Sequence, residues 1–294
     1  MLATLLTEKE YAKWQKSQSA GSILAAMNAA DSEVSAAVAC QISRIENSVD
    51  AIVTALDQGG HLIYIGAGTS GRLGVLDAAE CPPTFHTPPG LVRAIIAGGD
   101  EALRHSVEGA EDDSEAGVRD IFASGVSASD AVVGISASGQ TPYVVGALTY
   151  ARSLGAVTSG ISCTPNSELS RIVEFPIEPL AGPEFLAGST RLRAGTATKL
   201  VLNMISTTVM IKLGYTYRGL MVNVQPTNRK LEDRALRIIQ QITGVSLDRA
   251  AELLEEAGRS VPTAIVMEKK GVPRSEAEQL LSLARGRLDV VLGE

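Results

Sequence analysis

Across residues 23–56 apolar side chains return every three or four positions: Val34, Val38, Ile42, Ile45, Val49, Ile52 and Leu56. That spacing lines one face of a helix and predicts one or two amphipathic helices. Gly59-Gly60 ends the pattern, and the period changes. Residues 61–65, 92–97, 130–136 and 157–162 are short apolar runs, and 174–177 is a shorter fifth. Such runs are the mark of strands buried on both faces. Helical segments separate them: one up to Glu80, one rich in acids from Asp100 to about Ser124, one over 141–154, and one over 195–213. Strands alternating with helices predict an α/β fold, a parallel sheet flanked by helices on both faces.

After Pro226 the strands cease. Residues 230–243, 247–258, 263–270 and 275–292 read as short helices, with Gly244, Gly258 and Gly271 as stops and Ser246 and Ser275 as N-caps. The expected organisation is an N-terminal arm and helices packing on the core over 1–58, an α/β core over 59–225 and a small all-helical C-terminal subdomain over 226–294. The arm itself, residues 1–20, is polar, and its Trp14 is placed to cover either the core or a neighbouring subunit.

Two segments carry chemistry. Gly66-Ala-Gly68-Thr69-Ser70-Gly71-Arg72 follows the first strand and opens a helix. Glycines let main-chain amides approach a ligand, the helix N-terminus favours an anion, and Thr69 and Ser70 add hydroxyls. A tight strand-to-helix turn asks for glycine too, so Gly68 and Gly71 have two readings. The G-x-G-x-x-G spacing also matches a dinucleotide fingerprint, but the acid needed at the end of the second strand is missing there, where Ala97-Gly98-Gly99 stand. Ser136-Ala-Ser138-Gly139-Gln140-Thr141-Pro142 follows the third strand in the same way. Its three hydroxyls and a proline suited to a first helical turn make a second phosphate cradle. Two such turns at strand C-termini suit one ligand in the crevice of an α/β sheet.

Composition narrows the classes. The chain has 294 residues, 45% of them hydrophobic, enough for a large core, and a net charge of -7, which argues against a nucleic-acid partner. Cys40, Cys81 and Cys163 are odd in number and far apart, so a cytoplasmic protein without disulfides is expected. The N-terminus shows no apolar signal core, and the longest apolar stretch, 200–211, is broken by Asn203 and Ser206, so no membrane partner is expected. His61, His86 and His105 are scattered without metal spacing; neither a metal nor another cofactor is expected. Cys81 has no histidine arrangement that would make it a nucleophile and reads as a small buried thiol.

Together the two turns resemble the sugar isomerase (SIS) domain, whose members bind phosphosugars. The resemblance sharpens at Leu76-Asp-Ala-Ala-Glu80-Cys-Pro-Pro-Thr84 and continues through Ile96-Ala-Gly-Gly99, Val107-Glu108-Gly-Ala-Glu111-Asp112 and Gly188-Ser-Thr-Arg-Leu-Arg-Ala-Gly-Thr196, ending near Thr227-Asn228. These segments are similar to the N-acetylmuramic acid 6-phosphate etherases, relatives of the glucokinase regulatory protein. One departure stands in the arm, where Thr7-Glu8 is followed by Lys9-Glu10-Tyr11 without the family's asparagine.

The resemblance implies a SIS-type sheet and a carbon–oxygen lyase that releases D-lactate from the sugar phosphate. It implies that Glu80 and Glu111 are the catalytic acid/base pair. The residues alone allow a solvated charge run as well, which fits Asp112, Asp113 and Glu115 better, and Glu108 lies one helical turn before Glu111 on the expected helix. Glu184, Ser189, Thr190 and Lys199 are further candidates for substrate contact, and Arg72 completes the first phosphate turn. SIS domains usually pair, so a homodimer is expected. The competing readings are another phosphosugar isomerase and a non-catalytic phosphosugar-binding regulator.

Overall fold

The computed structural model describes residues 18–226 and 228–293. The expectations for Trp14, for the Thr7-Glu8 departure and for Thr227 lie outside the described residues. The chain divides into two compact units, one of residues up to Ala78 with Leu91–Ile205, the other of Ala79–Gly90 with Ser206–Glu294.

The first unit is built on five parallel strands in the order β2-β1-β3-β4-β5: β1 Leu62–Gly66, β2 Val92–Ile96, β3 Ala131–Ile135, β4 Val157–Ile161 and β5 Phe175–Ile177. Every residue of β1 and β3 is buried, as a strand covered on both faces requires. Alternation divides the side chains. Ile63, Ile65 and Val132 join a core with Ile121, Tyr143, Val144, Leu148 and Leu169, from helices α5 (Ser114–Ala123), α6 (Pro142–Ser153) and α7 (Glu168–Ile172). On the other face Gly74 of α4 (Gly68–Phe85) packs on Tyr64, and α3 (Ile42–Asp57) lies against β3, β4 and β5. A buried hydrogen bond of 2.6 Å between Ser48 and Ser159 ties α3 to β4. The amphipathic N-terminal segment forms three helices, α1 (Ala20–Asp31), α2 (Val34–Ala39) and α3.

Two expectations are corrected in this region. The sequence predicts that Cys81-Pro82-Pro83 stops α4 at Glu80; the helix instead runs to Phe85 with both prolines inside. Proline's fixed φ is itself helical, so each proline removes one N–H from the ladder without ending it, and His86 N donates to the Pro82 carbonyl at 2.8 Å to close the last turn. The acidic stretch after β2 is not one helix. A 3-10 turn covers Gly99–Leu103, Glu108–Asp112 form turns, and α5 begins only at Ser114. Gly109 has a φ of +74°, which no right-handed helix accommodates, and Asp113 caps α5 by accepting from Ala116 N at 2.8 Å. Glu111 therefore sits in a turn, and Glu108 is not its neighbour one helical turn back.

The second unit is helical throughout its packed part. It holds the end of α8 (Arg193–Lys212) and α9 (Arg229–Thr243), α10 (Leu247–Glu256), α11 (Val261–Lys270), α12 (Arg274–Leu283) and α13 (Leu288–Leu292). Ile238, Ile239, Leu253, Leu254, Ile265, Val266 and Leu288 form its core. Asn228, Ser246 and Ser260 cap α9, α10 and α11, and Gly244 and Gly271 end α9 and α11 in the left-handed region. The expected N-cap Ser275 lies inside α12, whose N-cap is Pro273, and Arg285 and Gly286, both at positive φ, split the expected last helix in two.

Candidate functional site

Strand order decides where a ligand can bind. β1 and β3 are neighbours, but the chain leaves β1 toward β2 on one side and returns through β3 on the other. The turns after β1 and β3 diverge there and open a crevice beyond the strand C-termini, the usual ligand site of such sheets.

The first turn divides its glycines between two tasks. A Cβ on Gly71 would lie 2.7 Å from the Gly66 carbonyl oxygen and 2.6 Å from Ile96 Cγ1, so Gly71 lets the helix start against the sheet. Gly68 has a φ of +51° with no atom within 4 Å of an added Cβ, and is exposed. It gives the turn its shape and leaves its surface open. Arg72 turns away along the loop after β2, its Nε donating to the carbonyl of Ala102 at 2.9 Å and Nη2 to that of His105 at 3.0 Å.

The second turn is self-bonded at its base. Ser136 is buried, and its Oγ accepts from Gly139 N at 3.0 Å and lies 2.8 Å from Thr141 Oγ1. Gly139 has a φ of +64° and packs against Ser167. These contacts leave Ser138 exposed at the crest.

Between the turns lies a cavity of about 330 Å³. Of the expected residues it brings together Gly68, Thr69, Ser70, Ser138, Thr141, Thr190 and Glu111. Its wall also contains Gln140 and Asp112. Gln140 stands inside the second motif with no hydroxyl to single it out, and Ser189, the neighbour of Thr190, has no part in this lining. The first turn of α4 and the start of α6 both face the cavity, so amides and two helix dipoles favour an anion there. Among the described residues of its lining the only charged side chains are the acids Glu111 and Asp112. A phosphate would be held by neutral donors at the hydroxyl turns, away from the carboxylates.

Other candidates have partners of their own. Both Glu184 oxygens accept main-chain bonds at the start of α8, from Arg193 N at 2.8 Å and Ala194 N at 2.9 Å. Lys199 lies 3.6 Å from the buried carboxylate of Asp77, which also accepts from Tyr64 Oη at 2.9 Å. Asp77 was not singled out in the sequence; an acid one turn before Glu80 was the available signal. Glu80 is exposed on α4. Cys81 is buried, and burial with Glu184 nearby pushes the Cys163 thiol up to about 12, a neutral thiol at physiological pH. Among the described residues no cluster of three His, Cys, Asp or Glu side chains is arranged to hold a metal ion, and no single helix is long and apolar enough to cross a membrane.

Comparison with known proteins places this geometry. Residues 44–152 match the family model of the glucokinase regulatory protein N-terminal SIS domain. The solved structure of a protein from Escherichia coli CFT073 superposes with a TM-score of 0.50 at 18% identity, over 68% of this chain and 95% of that one, a likeness of fold. The N-acetylmuramic acid 6-phosphate etherase of Geobacillus thermodenitrificans is 50% identical over 97% of this chain and 98% of its own. N-acetylmuramic acid 6-phosphate etherase 1 of Bacillus licheniformis is 48% identical over 99% and 96%, and the Jannaschia sp. etherase 53% identical over 83% and 77%. The chain belongs to the N-acetylmuramic acid 6-phosphate etherase family.

Proposed function

We propose that this protein cleaves the D-lactyl ether of N-acetylmuramic acid 6-phosphate, giving N-acetylglucosamine 6-phosphate and D-lactate. The observation that carries the reading is 50% identity to a relative of that name along nearly the whole of both chains. The cavity supports it: an anion site of amides and hydroxyls with the carboxylates of Glu111 and Asp112 in its wall.

The chemistry explains why carboxylates are needed. A C3–O ether is a poor point of direct attack. Ring opening makes C1 an aldehyde, which acidifies the C2 proton. A carboxylate takes that proton, the C2–C3 double bond forms, and lactate departs from C3 with a proton from an acid. Water then adds across the double bond at C3, and C2 is reprotonated. Glu111 and Glu80 are the pair proposed for these transfers, each role worth roughly 100- to 10,000-fold. Thr69, Ser70, Ser138 and Thr141 hold the 6-phosphate in this reading, with the amides of Gly68 and its neighbours.

The test is D-lactate release from N-acetylmuramic acid 6-phosphate by the purified protein, repeated with Glu80→Gln and Glu111→Gln. Binding without lactate release would return the protein to the regulator or isomerase class. Exchange of the C2 hydrogen with deuterium assigns the roles, since exchange that persists in a variant removes that glutamate as the base.

The same reading places the protein in the cytoplasm as a homodimer. Helix α1, with the sequence AGSILAAMNAAD, has no buried residue in the single chain, and Leu24 is 65% exposed. An apolar helix with no fully buried residue supports a second copy packed on it.

A further inference from the structure

A second, smaller chamber of about 130 Å³ opens beside the phosphate cavity and shares Ala67, Gly68 and Glu111 with it. We propose that this chamber is the subsite for the 2-acetamido group of the sugar phosphate, an inference that rests on the substrate reading above.

Position comes first. Glu111 stands in the wall of both spaces. A sugar phosphate anchored by its phosphate in the larger one can send one substituent of its reacting carbons past Glu111 into the smaller. C2 and C3 are those carbons, so the entrant is either the acetamido or the lactyl group. Size allows both: with ~30 Å³ as the share of one water in the liquid, the chamber holds about four such volumes, room for a few heavy atoms and not for a ring.

Charge and wall chemistry separate the two. Glu108 and Glu111 both line the chamber, and Ser106 Oγ donates to Glu108 Oε1 at 2.8 Å. The lactyl carboxylate would enter beside two like charges, a selection against it by repulsion. The one cation among the described residues of this lining, Arg72, is already tied to the main-chain carbonyls of Ala102, Leu103 and His105. An acetamide is neutral, and its N–H is a donor for a carboxylate. Its methyl meets a wall of Ala97, Ala102, Val107 and Ala110, small apolar side chains that leave methyl-sized space. The Arg72 bonds hold that wall in shape before any ligand arrives, which is how a specificity pocket keeps its selectivity.

The experiment compares two ligands that differ at C2 only, N-acetylglucosamine 6-phosphate and glucose 6-phosphate, by calorimetric titration of the full chain. Ala110→Leu fills the chamber. It should weaken the N-acetyl sugar about tenfold or more and leave glucose 6-phosphate within about twofold, the usual effect of a methylene-scale change in a pocket. Val107→Ala, at an exposed position that folding tolerates, should improve binding of the N-propionyl analogue relative to the N-acetyl sugar. Equal loss for both sugars in Ala110→Leu, or no change in the acyl preference of Val107→Ala, overturns the subsite. Lactate release by the unmodified protein is read in parallel. Lactate release with an unselective Ala110→Leu sinks the subsite alone; a selective Ala110→Leu without lactate release supports the subsite and sinks the etherase reading.

Discussion

The main-chain carbonyl of Glu111 accepts a hydrogen bond from the amide of Tyr143 at 3.1 Å. It joins the turn that carries Glu111 to the first turn of α6, whose start forms the other wall of the cavity. Tyr143 is 1% exposed, and its hydroxyl donates to Asp120 of α5; burial, then that neighbouring carboxylate, pushes the hydroxyl well above the ordinary tyrosine value. Gly117 of α5 approaches so closely that an added Cβ would lie 2.0 Å from the Tyr143 carbonyl oxygen. The packing of α5 on α6 thus sets where Glu111 stands, through main-chain atoms.

Because that anchor is main-chain, Glu111→Gln should leave it intact. D-lactate release should fall by ~100- to 10,000-fold, the usual worth of a general acid or base. The thermal unfolding midpoint should stay close to that of the unmodified protein, since surface substitutions are usually within ~0.5 kcal/mol. A variant that melts early would show that the loss of activity came from the turn and not from the proton transfer.

The glycines of the first turn should separate in the same assay. Gly71→Ala forces a methyl against Gly66 and Ile96 and should cost ~1–3 kcal/mol of stability. Gly68→Ala meets no atom, so its cost is the left-handed backbone alone, ~1–2 kcal/mol, but its methyl enters the mouth of the cavity. Calorimetric melting paired with KM for the sugar phosphate checks this: a raised KM is expected for Gly68→Ala even where its melting temperature is the higher of the two.

The elements of the α/β core were legible in the sequence because buried parallel strands are continuous apolar runs ended by glycine. The order of the strands was not, since nothing local in residues 130–136 says that they lie beside β1. Within the second motif the sequence could not rank Ser136 above or below Ser138. The structure does so by burying Ser136 at the end of β3, where it braces the turn, and exposing Ser138. The acid-rich stretch after β2 predicts a helix that carries Glu111; the decisive residue is Gly109, whose positive φ breaks the helical path. Glu184 is a candidate sugar contact from its place just before the Gly188-Ser-Thr segment; its bonds to the backbone amides that open α8 carry no signal in side-chain identity.

Acid sensitivity should originate at the opposite end of the sheet from the cavity. Asp130 is 2% exposed at the start of β3, and its carboxylate accepts from His61 N, Ser127 N and Ser127 Oγ, with His61 Nδ1 at 2.9 Å. Burial pushes this carboxyl up, but the bonds from His61 and Ser127 outweigh it and hold the group below its ordinary value of 3.8. A carboxyl depressed in the folded state stabilises the protein above its unfolded value and loses that contribution as pH falls through the folded one. Unfolding free energy should therefore decline below about pH 4, and Asp130→Asn should flatten that decline while lowering stability at neutral pH. Urea titrations at a series of pH values decide it; a variant with the unmodified slope would place the acid sensitivity elsewhere.

The apolar surface of α1 gives the last prediction. Leu24, Ala25 and Ala29 are exposed in the single chain, no residue of the helix is fully buried, and Ile42 at the head of α3 is 55% exposed as well. A charge on a face packed against a second copy would be desolvated without a partner, whereas a charge on a free face would be hydrated at little cost. Leu24→Glu should therefore raise the dimer dissociation constant read by sedimentation velocity about tenfold or more, a loss of ~1.4 kcal/mol or greater. Its monomer should keep the far-ultraviolet spectrum of the folded chain, because α1 buries no residue in its own unit. An unmodified protein that sediments as a monomer, or a Leu24→Glu variant that dimerises as before, would show that this helix covers no second copy.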